Sequence, residues 1–168
     1  LPPISVVICG CNEADNLSKY LDRFLAQDYP FFEVVVVNDN SVDETEKILF
    51  AFQKKYSILH PVTITEQHPP GKKHALQVGI AAAKYDLLLL SDADCRPSSP
   101  FWAAKMLAGI DPDHQLVAGY APFTYGKTFV ARFSAFENII TALQYIGFGF
   151  AGMPYMGVGR NMGYSASL

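Results

Sequence analysis

Asp86-Leu-Leu-Leu-Leu-Ser-Asp-Ala-Asp-Cys-Arg-Pro97 is the stretch whose reading decides the fold. Four consecutive leucines are too few to span a bilayer, and they read as a strand buried on both faces, of the kind found in the middle of a parallel sheet. The strand runs into two carboxylates, Asp92 and Asp94. Neighbouring anions at the end of a buried strand repel unless a cation or hydrogen-bond donors answer them, and a hard divalent ion such as Mg²⁺ or Mn²⁺ is the natural answer. In open α/β sheets ligands bind outside the carboxyl ends of the strands, which places this pair where a metal-bound phosphate is expected. Taken alone, the pair reads equally well as a solvated turn closed by Pro97.

Working outward, strands and helices alternate. Ile4 to Cys9 is an apolar strand broken by Gly10, and Asn12 is placed to cap a helix whose apolar face is Leu17, Tyr20, Leu21, Phe24 and Leu25. Phe32 to Val37 is a second strand with Asn38-Asp39-Asn40 at its end. Ser41 to Glu44 then has the form of a capping box before a helix striped by Thr45, Ile48, Leu49 and Phe52. Val62 to Glu66 reads as a weaker strand near an edge. The loop 67–73 leads to a helix from about His74 with Leu76, Gly79, Ile80 and Ala83 on one face. After the leucine strand, a helix from about Ser99 carries Ala103, Met106, Leu107 and Ile110, and Leu116 to Tyr120 is a fifth strand. Four strand–helix alternations predict a mostly parallel sheet flanked by helices, with right-handed crossovers. Asn12-Glu13, Asn38-Asp39 and Asp92-Asp94 then converge at successive carboxyl ends, an arrangement that suits a nucleotide pocket.

The chain has 168 residues, half of them hydrophobic, which is one domain's worth with enough apolar surface for a core. Net charge is −3 and the 13 Lys and Arg residues form no run, so nothing predicts nucleic-acid binding. Three cysteines, with Cys9 and Cys11 alternating along one segment, predict free thiols and a cytosolic setting rather than a disulfide framework. Zinc spacings such as C-x-x-C are absent. Solvent-exposed or capping roles are the default for His60, His68, His74 and His114, and only His74, beside Lys72-Lys73, is a candidate to approach a phosphate.

From Thr128 to Ile146, Phe129, Phe133, Phe136, Ile140 and Leu143 repeat at helical spacing. The uncharged run from Ile139 to Met156 is close to the roughly 20 residues of a transmembrane helix, but glycines and Pro154 interrupt it, and it reads as an interfacial helix beside an acceptor site. The chain lacks an initiator Met and ends in an apolar-aromatic phrase, which is expected of a single domain incomplete at its C-terminal end, with flanking membrane segments outside it.

Several phrases, read together, resemble the family 2 glycosyltransferases, whose catalytic domain has the Rossmann-like GT-A fold. They are Ser5-Val-Val-Ile with Asn12-Glu13, Gln27-Asp-Tyr-Pro30, Val34 to Ser41 with Asp43, Gly71-Lys72 with Ala75-Leu76, and Ser91-Asp-Ala-Asp94. Gly159 to Leu168 resembles the family's acceptor-side phrase. The resemblance implies a metal-dependent, inverting enzyme moving a sugar from a nucleoside diphosphate, UDP first, to a saccharide or lipid acceptor at the cytosolic face of a membrane, as in cell-envelope polysaccharide synthesis. It implies that Asp39 accepts a hydrogen bond from the base and that Cys9, Cys11, Asn12 and Glu13 form the base and ribose wall. Lys72 would lie by the diphosphate or the donor sugar, Asp92 by the ribose or the metal's water shell, and Asp94 on Mg²⁺ or Mn²⁺. The general base is expected beyond Leu168, and Glu137 is not assigned to it. Four positions in three phrases depart from the family: Asn38 replaces the first Asp of an Asp-Asp pair, Gln77 an Asn, and Gly163 and Ser165 stand for Ala and a basic residue. The alternatives are a non-catalytic nucleotide-binding module and a nucleotidyltransferase-like enzyme.

Overall fold

The computed structural model describes residues 1–66, 71–111, 113–124 and 126–167. The expectations for residues 67–70, His68 among them, and for Leu168 lie outside the described residues. Six strands form one sheet: β1 (Ile4–Gly10), β2 (Phe32–Asp39), β3 (Leu59–Ile64), β4 (Leu87–Asp92), β5 (Leu116–Ala118) and β6 (Asn161–Ser165), in the spatial order β3-β2-β1-β4-β6-β5. β1, β2, β3 and β4 are parallel, while β6 runs antiparallel to both β4 and β5. This is the expected mostly parallel α/β architecture.

Side chains alternate across the sheet. Val6, Ile8, Val34, Val36 and Leu89 face α1 (Ala14–Leu25), α2 (Thr45–Lys55) and α4 (Trp102–Leu107), where Leu17, Leu21, Phe24, Leu49 and Met106 close the core. Val7, Cys9, Val35, Val37, Leu88 and Leu90 face α3 (Lys72–Ala82). Gly79 lets α3 sit against β1 and β2, since a Cβ there would come within 2.6 Å of Val7 and 2.9 Å of Val37. β3 begins earlier than its alternation suggested and holds the edge, where Pro61 costs no ladder bond.

Gln27 is buried and joins three segments. Its amide donates to the carbonyls of Arg23 and Ser99, and its oxygen accepts the Ala103 N–H, capping α4 from a distance. Tyr29 donates to the Pro2 carbonyl at 2.6 Å. The Gln-Asp-Tyr-Pro phrase is therefore a fastening between α1, α4 and the start of β1.

Two expected caps are corrected. Asn12 does not cap α1; it takes a left-handed φ of 57°, and Glu13 occupies the cap position, its side chain accepting from the Asn16 amide at 2.7 Å rather than from a backbone N–H of the helix. The α1 amides are served from the next loop: Thr45 accepts the Glu13 N–H and Asp43 the Ala14 N–H. In return Asn12 accepts the Val42 N–H and donates its own N–H to Ser41. Ser41 and Glu44 accordingly form no capping box. The loops after β1 and β2 satisfy each other's orphan donors, which fixes two carboxyl ends of the sheet in register.

The last third departs most. β6, Asn-Met-Gly-Tyr-Ser, has no apolar alternation to mark it as a strand, yet it pairs between β4 and β5. The long helix α5 (Phe129–Phe150) runs through Gly147 and Gly149, starting at a Thr128 cap. Its aromatic stripe faces outward: Phe129, Phe133, Phe136 and Leu143 are exposed, while Ala135, Ala142 and Tyr145 are buried. Among the described residues no helix is long and apolar enough to cross a membrane.

Candidate donor-binding cleft

The chain runs outward from β1 to β3 and then returns to β4 on β1's other side. The reversal leaves a crevice at the carboxyl ends of β1 and β4, the switch point where ligands of open α/β sheets bind. A cavity of about 910 Å³ opens there. Its walls bring together Cys9 near the end of β1 with Cys11 and Glu13 beyond it, Asp39 at the end of β2, Lys72 at the start of α3, and Asp92 at the end of β4 with Asp94 beyond it. Of the residues the resemblance assigns to the donor and the metal, Asn12 alone stays out of the lining, its side chain being engaged by the Val42 amide. Gly10, Asn40, Val42, Gly71, Ala75 and Ala93 also line the space. Gly10 was visible only as a strand breaker; a Cβ on it would come within 2.9 Å of Ala93 and 2.8 Å of Glu13.

The electrostatics divide the cleft. On one side Asp92, Asp94 and Cys95 hold ligand atoms within 4.8 Å of one another, and among the described residues they are the group able to hold a metal ion. Burial pushes the Cys95 thiol up to about 11, with Asp94 reinforcing it, so two carboxylates dominate the donor set. Oxygen donors of this kind suit Mg²⁺ or Mn²⁺ better than zinc. Cys9, on the cleft floor, is likewise pushed up to about 11 by burial. The three cysteines are free thiols.

On the other side stands the N-terminus of α3, whose first turn carries no acidic residue. Its amides and Lys72 present positive charge to the cleft, a ready anion site. Gly71 enters the helix at φ 143°, a conformation open only to glycine. Lys72 forms an ion pair with Asp92, and burial lowers its pKa, opposed by the nearby Cys9, Cys95 and Asp94. Hydrogen bonds, first from the Thr45 side chain, hold Asp43 below the usual carboxylate range, so it stays an acceptor for the amides of α1.

His74 sits in the first turn of α3, half-buried and outside the cleft lining. Asn38 is 2% exposed, and its side-chain oxygen has no hydrogen-bond partner among the described residues. An Asp at this point would put a charge where the Asn already leaves an acceptor unanswered, which gives a physical reason for the uncharged residue. Arg160 donates to the Ala121 carbonyl at 3.1 Å and rests 4.5 Å above the Phe123 ring. Glu137 is exposed on α5.

The sequence profile described as Glycosyl transferase family 2 matches residues 5–161. Glycosyltransferase AglE of Haloferax volcanii is 34% identical over 145 residues, covering 83% of this chain and 46% of its own length. The chain thus spans about half of that relative. A mannosyltransferase of Pyrobaculum calidifontis, solved with GDP-mannose and Mn²⁺, superposes with a TM-score of 0.71 at 22% identity over 98% of this chain and 44% of its own, a likeness of fold. TarS 1–349 of S. aureus in complex with UDP gives 0.54 at 26% identity over 63% of this chain and 32% of its own.

Proposed function

Since the chain belongs to glycosyl transferase family 2, we propose that it is the donor-binding part of an enzyme that moves a sugar from a nucleoside diphosphate, UDP first, to a saccharide or lipid acceptor with inversion. The observation that carries this is the cleft itself, with Asp39 from β2, Lys72 from α3, and Asp92 and Asp94 from the end of β4 on one cavity. Asp39 accepts a hydrogen bond from the imide N–H of the base, and the Cys9 to Glu13 turn walls the base and ribose. Lys72 and the amides of α3 meet the diphosphate. Asp94 and Asp92 hold Mg²⁺ or Mn²⁺, which supplies Lewis-acid stabilisation of the charge left on the departing diphosphate. The acceptor hydroxyl attacks the anomeric carbon in a single displacement and gives its proton to a general base. No base is assigned among the described residues, because Glu137 lies on the exposed surface of α5.

Calorimetric titration with UDP, with GDP as control, tests this in Mn²⁺ and again with the metal chelated. Metal-dependent binding that prefers UDP is expected. A preference for GDP reassigns the base pocket, and equal binding after chelation removes the metal from the reading.

We further infer that α5 lies on a lipid surface at the cytosolic face of the membrane, beside the acceptor. Phe129, Phe133, Phe136 and Leu143 present apolar area to the outside, with Arg132 exposed among them, as interfacial helices do. The protein should co-sediment with phosphatidylglycerol-containing vesicles, and the double change Phe133→Ser, Phe136→Ser should release it. Wild-type protein that stays in the supernatant refutes the lipid contact.

A further inference from the structure

One carboxylate of the metal cluster is already engaged. The Lys72 ammonium pairs with the Oδ1 oxygen of Asp92, and that oxygen is closed off from solvent. Asp94, two residues on, is exposed, and among the described residues its Oδ1 is reached only by the weak Cys95 thiol donor at 3.5 Å. An incoming cation therefore meets one open carboxylate and one that is covered. The covering group can move: the Lys72 side chain is 48% exposed, and it lines the same cavity as both aspartates.

We propose that Lys72 is a counter-ion which a divalent cation must displace from Asp92, and that the donor diphosphate draws it away. The inference rests on the donor-cleft reading above and adds to it an order of preference between ligands. An ammonium and a metal ion cannot share one carboxylate oxygen, because two cations at contact distance repel, the more so in a half-buried site. Without nucleotide, Lys72 has Asp92 as its partner and metal binds against it. With nucleotide, the diphosphate offers Lys72 a partner of greater negative charge, and Asp92 is freed for the metal. Metal and nucleotide then raise each other's affinity by the same factor, as linkage requires. Diphosphate oxygens that bind the metal directly add coupling of their own, and only the remainder belongs to Lys72.

The test is Mn²⁺ affinity by calorimetry, with and without UDP, on wild type, Lys72→Met and Lys47→Met. Lys47 pairs with Glu44 on exposed α2 and serves as a charge-loss control. Lys72→Met should bind Mn²⁺ alone about fivefold more tightly, the scale of a partly exposed ion pair. The gain in Mn²⁺ affinity on adding UDP should shrink by a similar factor, while Lys47→Met changes neither. Lys72→Gln, which keeps a polar side chain, should move both quantities in the same direction. Unchanged or weaker Mn²⁺ binding in the Lys72 variants, or undiminished coupling, overturns the inference while the donor reading stands. A wild-type protein that binds no UDP with Mn²⁺ overturns the donor reading and this inference with it.

Discussion

Asp94→Asn should weaken UDP binding in the presence of Mn²⁺ by at least about 100-fold, since even outer partners of a metal site are worth about 10–100-fold in metal affinity. With the metal chelated, wild type and variant should bind alike. The substitution keeps the size of the side chain and removes the charge. Asp94 is exposed and its one hydrogen-bond contact among the described residues, the Cys95 thiol at 3.5 Å, is weak, so stability should change by no more than about 0.5 kcal/mol. Chemical denaturation of the variant therefore separates a lost ligand from a lost fold. Unaltered Mn²⁺-dependent UDP affinity in a folded variant would remove Asp94 from the metal site.

The second large effect is in the sheet behind the cleft. Leu89 is fully buried at the centre of β4, between Val6 of β1 and Gly163 of β6. Leu89→Ala should destabilise the protein by about 3 kcal/mol, within the range for buried leucines. Gly163 explains itself against this side chain, because a Cβ there would come within 2.7 Å of Leu89 and 3.0 Å of Val117. Gly163→Ala should therefore cost about 1–3 kcal/mol by overpacking. Combined with Leu89→Ala, the added methyl finds the space left by the leucine, and the double variant should be more stable than the sum of the two changes predicts. Urea unfolding of the four proteins measures the coupling. Strict additivity would show that the two sites do not share the space.

The leucine strand, the apolar runs of β1 and β2 and the stripe of α1 were legible in the sequence because each is a local periodicity that burial rewards wherever the element lands. The same holds for the polar strand ends: Asp39, Asp92 and Asp94 follow apolar runs, and a parallel sheet carries them all to one edge. Asn12 was misread because a helix cap was sought within its own loop, whereas the amides of α1 are served by Asp43 and Thr45 some 30 positions away. Capping local in sequence and capping between loops leave the same residue types behind.

β6 was not legible at all. Asn161 to Ser165 earns its place by pairing with β4 and β5, and a five-residue segment with a glycine at its centre carries no pattern of its own. For α5 the period was plain in the sequence and the direction was not: helical spacing marks an apolar face without saying what it faces, and here Ala135, Ala142 and Tyr145 took the inward side. The sequence by itself determined the alternating α/β order, the apolar core strands and the acidic strand ends, because these follow from short-range periodicity and from the cost of burying charge. The tertiary structure alone decided which residues share the cleft, that Lys72 sits on Asp92, that Gly163 must lack a side chain and which way α5 looks, because each depends on contacts between segments that only the sheet order brings together.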